Sequence, residues 1–255
     1  METASVVADT TLPHAAGPPE LWTWALGVRP YAEVLELQRQ VARARIAGEI
    51  AQDMLLLVEH SPVVTLGRTA KPEHLLLSAD ALAARGIELF EVERGGDVTY
   101  HGPGQLVGYP IIDLKRHRQD LHWYLRQVEE VLIRALARWD IRAERNPGLT
   151  GVWTQDRKIA SIGIHARDWV TWHGFALNVT TEPAAFDVIV PCGIAGVEMT
   201  SMAREAGRPV AIWEVTVAVR QAFADVFGLI AVEYSESGVN RMALASCSLR
   251  SAPTP

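Results

Sequence analysis

Apolar positions along the chain repeat with two different periods. Between Tyr31 and Ile50, Val34, Leu37, Val41 and Ile46 recur at near-helical spacing among Arg and Glu residues, which predicts an amphipathic helix. From Leu121 onward, Leu121, Tyr124, Leu125, Val128, Val131, Leu132, Ala135 and Leu136 form one stripe, with Asp120 placed to cap it. A third helix is predicted over Ile212–Phe227, and a short one over Ala79–Arg85, with Ser78 as its cap and Gly86 as its end. Strand-like runs fill the intervals. "DMLLLVEHSPVVTLG" reads as two strands broken at Ser61-Pro62, because proline restricts its predecessor and lacks an N–H donor. Further strands are expected at Ile87–Glu93, Asp97–Tyr100, Leu106–Ile112 and Leu229–Tyr234. Residues 151–179 read as strand, turn, strand, turn, strand, with turn signals at Gln155-Asp156 and Arg167-Asp168. Helices flanking several neighbouring strands and hairpins predict an α/β (α+β) fold with a mixed sheet.

Composition narrows this only a little. The chain has 255 residues, 49% hydrophobic and 21% charged, an ordinary balance for one sizeable globular domain. Residues 1–20 and 246–255 are small, polar and proline-containing and are expected to be disordered tails around a single domain over 21–245. A net charge of −6 argues against nucleic acid as the main partner. No apolar run approaches membrane-spanning length, and the first 20 residues lack a basic start followed by an apolar block, so neither a membrane span nor a secretory signal is expected. Cys192 and Cys247 are the two cysteines, too few for a disulfide framework, which suggests a reducing cytoplasm.

Candidate chemistry gathers in four segments. "RGGDVTYHGPGQLVGYP" interrupts good strand sequence with Gly95-Gly96 and again with Gly102 and Gly104. Tight hairpin turns would account for isolated glycines. Arg94, His101 and the nearby Tyr100 and Tyr109 suggest instead a loop whose backbone cradles a substrate. Its spacing fits neither the dinucleotide fingerprint nor a P-loop. In "PCGIAGVEMTSM", Cys192 stands between Pro191 and Gly193, which favours an exposed turn over a core strand. A lone cysteine is more often buried and inert than catalytic. A nucleophilic one needs a cation or base, because a free thiol, with its pKa of about 8.5, is mostly protonated near neutrality. Lys158, opening "KIASIGI", is the candidate activator, although a lysine at a strand start is usually just solvated. Ala160, Ser161 and Gly163 behind it, and Gly174 and Ala176 in "HGFALNV", thin two adjacent strands of bulk. Together they would leave a slot lined by Ile159, Ile162, Phe175 and Leu177. His101, His165 and His173 have no metal-ligand spacing, so no metal is expected. No G-x-S-x-G supports a serine hydrolase. The run Lys115–Arg118 is a solvated turn or a patch for an acidic partner.

In this order and spacing, "RGGDVTYHGPGQLVGYPIIDL", "RKIASIG", "WHGFALNV" and "PCGIAG" resemble the lipoyl(octanoyl) transferases, the octanoyl-acyl-carrier-protein–protein transferases, over about residues 30–230. The resemblance implies the fold shared with biotin and lipoate protein ligases. It also implies transfer of an octanoyl chain from acyl carrier protein to a lysine of a lipoyl domain, the first step of lipoate cofactor synthesis. Lipoyl domains occur in 2-oxoacid dehydrogenase complexes and in the glycine-cleavage H protein. By the same resemblance Cys192 carries the acyl thioester and Lys158 activates its thiol. Substrate would be bound by Arg94, Gly95, Gly96, Asp97, Val98, Thr99, Tyr100 and His101, by Ser161, Ile162 and Gly163, and by Gly174, Phe175 and Ala176. No cofactor and a monomer are implied. Two departures stand out: the N-terminal tail is long, and Asp97 replaces an expected neutral polar residue such as Gln. An ATP-dependent lipoate or octanoate ligase, a non-catalytic carrier-binding module and a thioesterase are the competing readings. The Pro-Cys-Gly setting of Cys192 weighs against the first, and Cys192, Lys158 and His101 together weigh against the second.

Overall fold

The computed structural model describes residues 19–193 and 196–234. Most of the two expected tails, and Cys247, lie outside these residues. Strands β1 (Glu20–Arg29), β2 (Asp53–His60) and β3 (Val63–Leu66) surround helix α1 (Tyr31–Ile46) in sequence. Then come α2 (Ala79–Ala83), β4 (Glu88–Glu91), β5 (Val98–His101) and β6 (Gln105–Ile111). The second half runs α3 (Leu121–Ala137), β7 (Val152–Thr154), β8 (Arg157–Arg167), β9 (Val170–Asn178), α4 (Met202–Ala206), α5 (Ile212–Phe227) and β10 (Ile230–Glu233). Seven strands form one mixed sheet in the order β10-β1-β2-β6-β9-β8-β7, and β4-β3-β5 form a second. Both parallel and antiparallel pairs occur, as the hairpin-rich sequence implied.

The large sheet is covered on both faces, so its central strands β6 and β9 are buried at every position. Leu55 and Leu57 of β2 join the core under α3 and α5, whereas Met54, Leu56 and Val58 join the core under α1. The small sheet packs its own cluster, in which Val98 and Tyr100 meet Phe186, Val188 and Ile189.

The predicted caps are in place. Asp120 accepts from the Trp123 N–H at 3.0 Å and Ser78 from the Ala81 N–H at 3.3 Å. Between β7 and β8, Gln155 and Asp156 take φ 47° and 63°, the two positive values that a two-residue hairpin turn needs. The β8–β9 turn falls on Asp168 and Trp169 (φ 51° and 65°), one residue beyond the expected pair. Strand β1 had no counterpart in the sequence reading. Its inward residues Leu21 and Thr23 alternate with the larger, half-buried Trp22 and Trp24, and this blurs the two-residue period.

Candidate active site

A cavity of about 260 Å³ lies between the two sheets. Strand β5 contributes Val98, Thr99 and His101, and β6 contributes Val107 and Tyr109. Strands β8 and β9 contribute Ser161–Gly163 and His173–Ala176, α1 contributes Tyr31, and the loop Gly148–Thr150 closes another side. Lys158 and Cys192 are in its wall, with Lys158 Nζ donating to Cys192 Sγ at 2.9 Å. Ser161 Oγ is 3.8 Å from the same sulfur.

Each half of the pair is fixed by a different local device. Lys158 is 1% exposed and its ammonium lies 5.4 Å from the Trp153 ring centroid. Its backbone is clamped by the segment that follows the cysteine: Lys158 N–H donates to Glu198 O (2.8 Å) and Thr200 N–H to Lys158 O (3.0 Å). Cys192 sits in a single turn at Pro191–Gly193 with φ 55° and ψ 18°, left-handed values that are uncommon outside glycine. Before the turn, Val190 N–H donates to His74 O at 2.8 Å and Leu76 N–H to Val188 O at 3.0 Å. Cys192 therefore hangs between two anchored stretches of backbone.

Arg94 forms part of the cavity wall and is deeply buried there. Arg94 is 7% exposed, and its guanidinium donates to Thr65 O, Thr65 Oγ1 and Gly95 O. Burial pushes its pKa below the usual guanidinium value. It is seated among glycines: an added methyl at Gly67 would lie 2.6 Å from Nη1, and at Gly163 it would lie 3.3 Å from Cδ. These positions are bare so that a cation can be buried in the cavity wall. Gly102 and Gly104 do not reach the cavity. The first is covered by the Tyr100 ring and the second by Thr180 and Thr181.

The polar inner wall carries a directed chain of hydrogen bonds. Asn178 Nδ2 donates to Thr200 O, and Gln105 Nε2 donates to Asn178 Oδ1. Gln105 Oε1 is thus left to accept from His101 Nδ1 at 2.7 Å. The His101 hydrogen is therefore on Nδ1, and burial, which pushes its pKa down to about 3, keeps the ring neutral near neutral pH. His60 is likewise neutral. Its Nδ1 donates to Arg29 O, its Nε2 accepts from the Tyr109 hydroxyl, and burial lowers its pKa to about 4.

Of the residues expected to bind substrate, Arg94, Gly96, Asp97, Val98, Thr99, His101, Ser161, Ile162, Gly163, Gly174, Phe175 and Ala176 line the cavity. Gly95 and Tyr100 stand outside it. Gly95 N–H is bonded to Ile164 O, and the alternation of β5 turns Tyr100 onto Phe186. Ile159 and Leu177, expected in the slot, are wholly buried in the core under α3 and α5. Tyr109, noted beside the glycine-rich segment, does line the cavity; Tyr31, Val107 and Gly148–Thr150 were not anticipated, and the Pro147-Gly148 turn signal was the sole trace of that last loop. His173 lines the cavity, and His165 bonds Glu93 O. Among the described residues no group of His, Cys, Asp and Glu could hold a metal. The basic run at 115–118 is occupied within the chain, where His117 meets Asp53, Lys115 meets Asp113 and Arg118 meets Asp120.

This site agrees with what the chain is similar to. The family model for the lipoyl protein ligase A/B catalytic domain matches residues 30–224. An octanoyltransferase of Nostoc sp. is 50% identical over 207 residues, which cover 81% of this chain and 92% of that protein. One from Gloeobacter violaceus is 50% identical over 203 residues, 80% of this chain and 88% of its own length. Among solved structures, lipoate-protein ligase A bound with ATP gives a TM-score of 0.71 at 17% identity, over 87% of this chain and 92% of that one. A putative lipoate protein ligase of T. acidophilum with bound lipoic acid gives 0.69 over the same shares of the two chains. At that identity the likeness is one of fold. The chain belongs to the lipoyl protein ligase A/B catalytic family, among its octanoyltransferases.

Proposed function

We propose that this acyltransferase moves an octanoyl group from octanoyl-acyl carrier protein to a specific lysine of a lipoyl domain, through a thioester on Cys192. The observation that carries the reading is the 2.9 Å contact between Lys158 Nζ and Cys192 Sγ in the wall of a largely apolar cavity. A lysine Nζ at hydrogen-bond distance from the sulfur is placed to exchange a proton with it as the sulfur attacks a thioester. The first step exchanges one thioester for another: the Cys192 sulfur bonds to the acyl carbon and the carrier's thiol leaves with a proton. In the second, the target amine attacks the Cys192 thioester: the amide C–N bond forms as the C–S bond breaks, the Cys192 sulfur leaves, and the amine's surplus proton departs. Lys158 is positioned to give the proton in the first step and take it in the second. Val98, Val107, Ile162 and Phe175 supply apolar walls for the acyl chain, while Gly163 and Gly174 keep the strands behind it thin. The lipoyl domains of 2-oxoacid dehydrogenase complexes and the glycine-cleavage H protein are the acceptors this chemistry suits. No helix among the described residues is long and apolar enough to cross a membrane.

Mass spectrometry of the protein incubated with octanoyl-acyl carrier protein, without ATP, tests the reading. The expected result is an octanoyl adduct on Cys192 that disappears when an apo lipoyl domain is added, with the domain gaining it on lysine. Release of free octanoate would mean a thioesterase. Domain modification from free octanoate, only with ATP, would mean a ligase.

A further inference from the structure

Outside the Lys158–Cys192 pair, an acid and a base converge on the nucleophile's turn. Asp97 Oδ2 accepts from His74 Nδ1 at 2.7 Å, while Oδ1 accepts from the Val98 N–H at 2.7 Å and the Lys71 N–H at 3.4 Å. A carboxylate only accepts, so the His74 hydrogen is on Nδ1. The side chains are 16% and 10% exposed, mostly sheltered from water. They pack directly on Gly193, the residue after the nucleophile. An added methyl there would lie 2.7 Å from His74 Cε1 and 2.8 Å from Nδ1. The backbone of His74 is bonded to the same turn through Val190.

The turn needs such support. A non-glycine residue in the left-handed region costs on the order of 1–3 kcal/mol and stays there only where its surroundings hold it. The Lys158 contact cannot supply that hold throughout a reaction cycle, because acylation bonds Sγ to the acyl carbon and changes the atom that Nζ meets at 2.9 Å. A support that meets the turn through Gly193 survives acylation.

The geometry points to Asp97 and His74 as a positioning pair. Resting on the acyl-transfer reading of Cys192, their hydrogen bond keeps the Cys192–Gly193 turn left-handed and Sγ within reach of Lys158 Nζ. Asp97, which departed from the expected neutral residue, is thereby given a task. A neutral amide has a single accepting oxygen and could not serve His74 and the two backbone N–H groups in the same way.

Alkylation of Cys192 by iodoacetamide at fixed pH, located by peptide mass spectrometry, reads the thiol without any acyl donor. His74→Ala and Asp97→Asn are expected to slow it about tenfold, as the sulfur drifts from its cation. His74→Asn, which returns an N–H donor near the place of Nδ1, is expected to restore most of the rate. The kcat for octanoyl transfer should follow the same order, with KM for the lipoyl domain unchanged. Parental alkylation in both His74→Ala and Asp97→Asn would overturn the proposal. Failure of His74→Asn to rescue would overturn it too, because the imidazole itself, and not its bond to Asp97, would then be what matters. If the alkylation order holds in a protein that never takes up octanoyl, the positioning pair stands and the acyl-transfer reading falls.

Discussion

Lys158 owes its position to residues that make room for it. An added methyl at Gly151 would lie 2.8 Å from Lys158 Cε, and the Trp153 ring lies on another side of the ammonium. The slot is shaped for a slender chain ending in a compact charge. Arginine would keep the charge but not the shape, and its guanidinium does not give up a proton near neutrality. Lys158→Arg is therefore expected to slow formation of the Cys192 adduct by on the order of a hundredfold, within the usual reach of general acid–base catalysis. Rapid-quench mass spectrometry checks this, and near-parental kinetics would remove the proton-carrying role from Lys158. Arg94 illustrates the same relation between bulk and charge. Its side chain is buried with backbone and hydroxyl acceptors in place of a carboxylate, and this is possible because Gly67, Gly96 and Gly163 leave it space.

At the scale of elements, the strands bring the site together, and β8 is tightly constrained. An added methyl at Gly163 would lie 2.7 Å from Gly95 O and 3.3 Å from Arg94 Cδ, a clash with backbone that no side-chain rotation relieves. Gly163→Ala should lower the unfolding temperature by several degrees and disturb the Arg94 wall, raising KM for the acyl donor, as calorimetry and steady-state kinetics would show. A variant as stable and active as its parent would mean that the two strands part easily. Helix α3, α5 and both side-chain caps were legible because each depends on a stripe or a pair of residues close in sequence. The catalytic candidates were legible as motifs. What escaped depends on contacts between distant segments. Tyr31 and the loop 148–150 reach the cavity only through the sheet order, and His74 meets Asp97 across 23 residues. Nothing in "KPEHLLL" suggests a partner for its histidine. Gly96 was legible as a cavity residue, but no local pattern shows that Gly95 N–H is taken up by Ile164 O or that Arg94 folds back among glycines. Strand β1 was missed because its tryptophans sit partly buried on a covered sheet and hide the alternation.

The whole molecule carries buried neutral histidines at the junction of its sheets, and their effect on stability has a definite sign. His60 and His101 ionise near pH 6.5 in an unfolded chain, but their folded values are lowered to about 4 and about 3. The unfolded state thus binds protons first. The stability these rings contribute is complete above about pH 6.5 and is lost progressively as pH falls toward their folded values. At pH 5 the His60 ring alone accounts for a loss of about 2 kcal/mol. Carboxylates with lowered values, such as Glu36 and Glu130, act only below about pH 4.5, so they do not mask this window. Thermal unfolding followed between pH 7.5 and 5 should show a midpoint falling by several degrees. A midpoint indifferent to pH over that range would show that both rings take up protons in place.

The edge pairing of β1 with β10 bears on the molecule in another way. The two strands run parallel, with Glu20 beside Ile230 and Thr23 beside Glu233, at the opposite end of the seven-stranded sheet from β8. The end of β10 and the start of β1 are thus offset by roughly 10 Å of rise along neighbouring strands, a gap that a handful of residues can bridge. The order in which the segments are synthesised is therefore separable from the architecture they build. The same sheet could be traced by a chain that opens at a surface loop on the catalytic side and is sealed at this edge, leaving the chemistry where it is.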